Sequence, residues 1–455
     1  MPGITEITSR LTQFVAETSY KDFPPETVKL AKELILHCLG GALGGTKEPS
    51  SKIIIDFVKE IGGTPEAGVM GTGFKSSAIN AAFVGGFTTH AIEVEDGSWP
   101  GASSPITVVP VVFALAEKMG VTGKDIIESF VIGFEVQGKL AAAASTSASD
   151  RGVSTLTTIG ALGAAAGAAR MLKLDISTIT NALGIAASQA AGLTDCSVGN
   201  MTHYFQSGAS CRNGLTAALL AKAGFNANTH CLEMKNGLLD VLCGENAYNL
   251  GDITEGLGAP FHIQQVRVKK YPSCTLNHRI IDGVLALVRE HDISYEQVGS
   301  VEVEANSALP RILIYHEPRD AEEAQFSLQY NVAAAILERK LDLEEFTDEK
   351  VSDPKRREFM RKVRVIVHPE WESAGLMGGT NPIVIKLKDG KQFSRDCVYA
   401  IGGPEERLPT AELSALFRPM ARRVLSEKDV VRVEELVLNL ENIGDLTELT
   451  GLLLG

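Results

Sequence analysis

Apolar side chains recur at helical spacing over most of the first 260 residues. Val28, Ala31, Leu34, Ile35 and Cys38 form one stripe behind Pro24-Pro25, and the run ends in Gly40-Gly41. Proline favours a first helical turn and paired glycines break a helix, so the stripe reads as one helix. Ile53, Ile54, Phe57 and Val58 form a second stripe, and the pattern predicts further helices near 77–92, 105–119, 124–146, 155–172, 177–192 and 208–224, with almost no strand. Ala141–Ala144 and Gly160–Ala169 carry so few bulky groups that their helices can approach neighbours closely and be buried all round. Gly160, Gly163 and Gly167 have no strand before them and no Lys-Ser/Thr after them, so they do not read as a phosphate loop.

From about residue 262 the period changes. Gln265–Lys269 alternates like a strand, Ile280, Ile281, Val284, Leu287 and Val288 mark a helix, and Val301-Glu-Val-Glu alternates again. A helix is expected over Ala321–Lys340, a strand over Lys362–Val367, and a hairpin from Ile383 that turns at Asp389-Gly390. After Gly402-Gly403-Pro404 the helical period returns with Leu413, Leu416, Phe417, Val430, Val433, Leu436 and Val437. The expected class is α+β: a large all-helical domain (1–261) interrupted by a smaller α/β domain (262–400), with 401–455 completing the helical one.

Composition narrows the function. Hydrophobic residues make up 44% and charged ones 22%, a globular balance, and 56 acidic against 43 basic residues give a net charge of −13. There is no basic stripe for nucleic acid or an anionic membrane. Apolar runs such as Ile106–Ala116 are too short to span a bilayer, and the start, with Glu6 and no long apolar run, does not read as a signal peptide. Seven scattered cysteines without a CxxC pair read as reduced thiols in a soluble cytoplasmic protein.

Five ordered blocks carry a resemblance. Ala82-Phe-Val-Gly-Gly-Phe-Thr-Thr-His-Ala-Ile-Glu-Val-Glu-Asp, Gly199-Asn-Met-Thr-His-Tyr-Phe-Gln-Ser-Gly-Ala-Ser-Cys-Arg-Asn-Gly and Lys269-Lys-Tyr-Pro-Ser-Cys-Thr-Leu-Asn-His are followed by Glu322-Glu-Ala-Gln-Phe-Ser and Gly402-Gly-Pro-Glu-Glu-Arg-Leu-Pro. In this order they resemble the MmgE/PrpD family, which includes 2-methylcitrate dehydratase, cis-aconitate decarboxylase and iminodisuccinate epimerase. The resemblance implies a homodimer and a cleft between the helical and α/β domains. It also implies proton transfer beside a carboxylate of a small polycarboxylic acid, without metal or organic cofactor.

Such chemistry needs a base, a proton donor and cations for the carboxylates and the developing charge. Lys269 stands where the family has a catalytic or carboxylate-binding lysine, and His278, nine residues on, is expected to reach the same cleft from the next helix. His203 replaces a family lysine and Gln206 a family histidine; Glu93, Glu95 and Asp96 occupy its acidic stretch, with Glu93 able to act as a base. Three acids together can also bind a metal, but no metal-ligand spacing accompanies them and none is expected. Ser103 and Ser154 stand at family histidine positions and Gln325 at a lysine, so a tricarboxylate should be held less well than in the decarboxylase or dehydratase. Each lost charge-assisted hydrogen bond costs about 1.5–3 kcal/mol. Tyr315 is a candidate proton donor and Arg319 a candidate carboxylate clamp, whereas Cys274 reads as a packing thiol.

Three functions stay open. A lyase of dehydratase or decarboxylase type is favoured; an epimerase of a substituted succinate would need two acid/base groups on opposite faces; a non-catalytic binding member would keep only the dimer.

Overall fold

A computed structural model describes residues 6–99, 101–194, 196–374 and 379–455. The first five residues of the N-terminal segment read above lie outside this set. Two hydrophobic cores organise the chain. The larger is built from residues between Ile7 and Val268 together with Leu408–Leu453. The smaller lies between Tyr271 and Cys397. The C-terminal segment thus packs into the first core: on the helix Pro25–Gly44, a methyl built on Gly40 would lie 2.9 Å from both Phe417 and Met420 of the helix Thr410–Ala421.

Local sequence sets the helices that carry the site. Ser77 caps Ala78–Ala91 by accepting from Asn80 N at 3.2 Å, and Asn200 caps Met201–Lys222 by accepting from Thr202 N at 3.1 Å. The latter helix begins earlier than its apolar period indicated, because its first two turns bear the polar residues of the pocket. Gly123–Ala144 and Thr155–Met171 cross at small residues: methyls built on Gly133 and Gly163 would meet Gly163 O and Gln137 Cβ at 2.7 Å. The low bulk of these helices is therefore a packing device.

The second core rests on a four-stranded sheet of order β4-β3-β5-β6, with β3 Val298–Ala305, β4 Val363–Val367, β5 Asn381–Leu387 and β6 Gln392–Cys397. β3 pairs parallel with β4 and antiparallel with β5, and β5 with β6. The turn at Asp389-Gly390 forms as expected, with Gly390 at φ 89. The helices Thr275–Glu290 and Leu328–Glu338 pack on this sheet.

Four expectations need correction. A short hairpin, β1 Ala67–Val69 with β2 Phe74–Ser76, interrupts the helical half. The helix expected to reach 192 stops at Ala187, and Gly192 O is instead taken by Ser154 N at 3.2 Å. Ala321–Lys340 is two helices, Ala321–Ala324 and Leu328–Glu338, because Ser327 caps a fresh start by accepting from Tyr330 N. Gln265–Lys269 is not a strand. Its amides go to three unrelated partners, Arg267 N to Gly97 O at 2.7 Å, Val268 N to Gly402 O at 3.0 Å and Lys269 N to Asp96 Oδ1 at 2.9 Å, so no ladder forms.

The tight crossing gives a test. Gly163→Val should destabilise the protein by about 1–3 kcal/mol through overpacking, read as a lowered midpoint in thermal or urea unfolding.

Candidate active site

A cavity of about 160 Å³ opens between the two cores. Its floor comes from the turn after Ala78–Ala91, the first turn of Met201–Lys222 and the segment that leads into the second core. That turn places Glu93 in the left-handed region at φ 54, a conformation that costs a glutamate about 1–3 kcal/mol and directs its carboxylate inward. Lys269, 3% exposed, holds Glu93 Oε1 at 3.1 Å and is hydrogen-bonded to Glu95 Oε1. Burial alone would lower the pKa of this lysine, but the two carboxylates outweigh it and raise it above its ordinary value, so the ammonium stays charged. Asp96 fixes the lysine from behind, accepting from Lys269 N while its carboxylate meets buried His37 Nδ1 at 2.9 Å.

Two imidazoles complete the floor. His90 Nε2 lies 3.5 Å from Glu93 Oε2 and 3.7 Å from Glu95 Oε2, and His203 Nε2 lies 3.7 Å from Glu93 Oε2. Their rings are 4.4 Å apart, and Phe326 packs edge-on against His203. Burial, with His203 alongside, lowers the pKa of His90 well below its ordinary value, so it is a neutral ring. Ser154, Thr157 and Gln206 line the walls with neutral polar groups; Trp99, Leu156, Val198, Leu276 and Ile312 supply apolar surface. Arg311 at the rim makes no ion pair among the described residues. Cys274 also borders the cavity, but burial pushes its thiol up to about 12, so it is not a thiolate nucleophile.

The structure thus brings Lys269, Glu93, His203, Ser154 and Gln206 together, and keeps the other candidates apart. His278 does not reach the cavity: it is 2% exposed, its Nε2 donates to Ser273 O at 3.0 Å and its ring packs edge-on against Tyr271. Tyr315 donates to Val198 O at 2.9 Å outside the lining. Arg319 points to solvent with 82% of its side chain exposed and is bound to Glu323 at 2.8 Å, so it clamps nothing in the pocket. Ser103 is fully buried against Ser98 Oγ at 2.7 Å, and Asp96 positions Lys269 without lining the cavity. Arg311, His37 and Thr157 also belong to the site or its support, and no sequence motif marks them. Arg311 stands four residues before Tyr315, but nothing in its spacing sets it apart.

A floor of lysine, carboxylates and imidazoles is thus enclosed between a helical body and a small α/β unit. The chain belongs to the MmgE/PrpD family: residues 9–251 match the MmgE/PrpD N-terminal domain and 271–442 the MmgE/PrpD C-terminal domain. Its relatives include a cis-aconitate decarboxylase of Aspergillus terreus, 26% identical over 98% of this chain and 96% of that protein. A cis-aconitate decarboxylase of Mus musculus is 27% identical over 94% of this chain and 89% of its own length. A cis-aconitate decarboxylase-like protein of Aspergillus oryzae is 25% identical over 99% and 97%. No helix among the described residues is long and apolar enough to cross a membrane.

The burial of His278 has a consequence in acid. Burial first, and Lys269 second, depress its folded pKa to about 3, against about 6.5 when unfolded. The unfolded chain therefore binds a proton that the fold refuses. The stability His278 allows above pH 6.5 is lost as pH falls from about 6.5 towards 3. His278→Gln should flatten that part of the stability–pH curve in urea denaturation at stepped pH.

Proposed function

We propose that the pocket carries out proton transfer at a carbon beside a carboxylate of a small organic acid, as a lyase of decarboxylase or dehydratase type. The observation that carries this reading is the buried cluster in which Glu93 meets Lys269 with one oxygen and His203 with the other. Glu93 and His203 form the proton-transfer pair, and Lys269 remains charged to stabilise the anion that builds up on the substrate. Arg311 at the rim binds one substrate carboxylate, and Ser154, Thr157 and Gln206 offer neutral hydrogen bonds to the rest. The cis-aconitate decarboxylase relatives support the same class of reaction.

What favours a lyase over an epimerase is the one-sidedness of the acid/base groups. Inversion at carbon needs a second group on the opposite face, and Tyr315, the candidate for it, lies outside the lining. The floor favours an acid with fewer carboxylates than a tricarboxylate, because Lys269 is already matched by two carboxylates and the walls are neutral.

Incubation with aconitate, citrate, methylcitrate and substituted succinates in deuterated water tests the reading. An elimination or decarboxylation product is expected from one of them, and Glu93→Gln and Lys269→Met should each slow its formation by about 10²–10⁴-fold. Unchanged turnover in Lys269→Met would refute the assignment. Restoring an imidazole with Ser154→His should tighten tricarboxylate binding about tenfold in titration calorimetry.

A further inference from the structure

The cluster contains more unsatisfied valence than proton transfer uses. His90 Nε2, Glu93 Oε2 and Glu95 Oε2 have no hydrogen-bond partner among the described residues, and all three side chains are more than nine-tenths buried. His203 Nε2 faces the same point. The ligand atoms of His90, Glu93 and His203 all lie within 4.8 Å of one another, and the separations of 3.5 Å (His90–Glu93) and 3.7 Å (His203–Glu93) lie near the edge of a tetrahedron around an ion. With bonds of 2.0–2.2 Å that edge is about 3.3–3.6 Å.

The surroundings are those of a ligand set. His90 Nδ1 is held by Ser207 Oγ at 2.7 Å and His203 Nδ1 by Ser197 Oγ at 3.4 Å, so each ring turns its Nε2 inward. Lys269 takes Oε1 of both glutamates and leaves both Oε2 atoms free. Two carboxylates and one ammonium leave one negative charge to meet a dication. Two imidazole nitrogens with carboxylate oxygens suit zinc or a similar transition ion rather than calcium or magnesium.

We propose that His90, Glu93 and His203 form a site for one divalent transition ion that opens on the cavity and excludes proton transfer while occupied. Glu93 Oε2 and His203 Nε2 cannot hold an ion and pass a proton at once. The exclusion rests on the function proposed above; the site itself does not depend on it.

The full chain, stripped with EDTA, is dialysed against zinc and against cobalt(II). One ion per chain is expected, with the intense visible absorption of tetrahedral cobalt. His203→Ala and Glu93→Gln should each weaken binding by at least about tenfold. His368→Ala should not, although His368 lies between Glu304 and Glu370 on the surface. Substoichiometric uptake, the weak spectrum of a six-coordinate ion, or equal affinity in His203→Ala would overturn the site. The cobalt spectrum of the unmutated chain decides the matter even if a variant fails to fold. Zinc should also halt turnover of the acid substrate and EDTA restore it; turnover that persists with zinc bound would overturn the exclusion alone.

Discussion

An ammonium taken out of water loses several kcal/mol of hydration, and the interior must return that through well-placed opposite charge. Lys269 is such a group, and much of the site can be understood as what its burial requires. Glu93 and Glu95 supply the charge, Asp96 holds the lysine's backbone, and His37 holds Asp96. The carboxylates follow the helix Ala78–Ala91, whose first half packs in the first core, while Lys269 lies between Val268 of that core and Tyr271 of the second. The same contacts that make a charged floor possible also hold the two cores in register across the cavity. The buried ammonium persists in an interior of alanine and glycine helices because two carboxylates lie against it.

Much of the scaffold was legible in the sequence because its causes are local. Proline at a helix start, the 3.6-residue period and the Asp389-Gly390 turn each act over a few residues. Gln265–Lys269 misled because an alternating pattern reports which faces are buried, not who receives the amides. There the partners are Gly97, Gly402 and the Asp96 side chain, far apart in sequence. The break at Ser327 was hidden by apolar residues on both sides that keep a helical period across it.

The site was legible in part for a related reason. Lys269, Glu93 and His203 could be found because they lie in sequence blocks with a recognisable order. His278 could not be judged that way, since helical phase decides where it points. Leu276 lines the cavity, and two residues further on the side chain has turned by about 200°, into the Ser273–Tyr271 contact. Arg311 and Arg319 differ in a way no spacing reveals: between them the chain is irregular, so one guanidinium reaches the rim and the other its own Glu323.

The departures from the family's blocks also fit one another. Glu93 is longer than an aspartate by one methylene, about 1.5 Å of reach. From a left-handed backbone, that length lets one carboxylate meet both Lys269 and His203. Where the resemblance places a lysine, His203 brings an imidazole instead of a permanent cation. A second lysine would have competed with Lys269 for the same carboxylates and added charge for an anionic substrate. An imidazole instead leaves Glu93 Oε2 uncommitted, so the floor trades electrostatic grip on a polyanion for a lone-pair cluster that a proton or a metal ion can occupy.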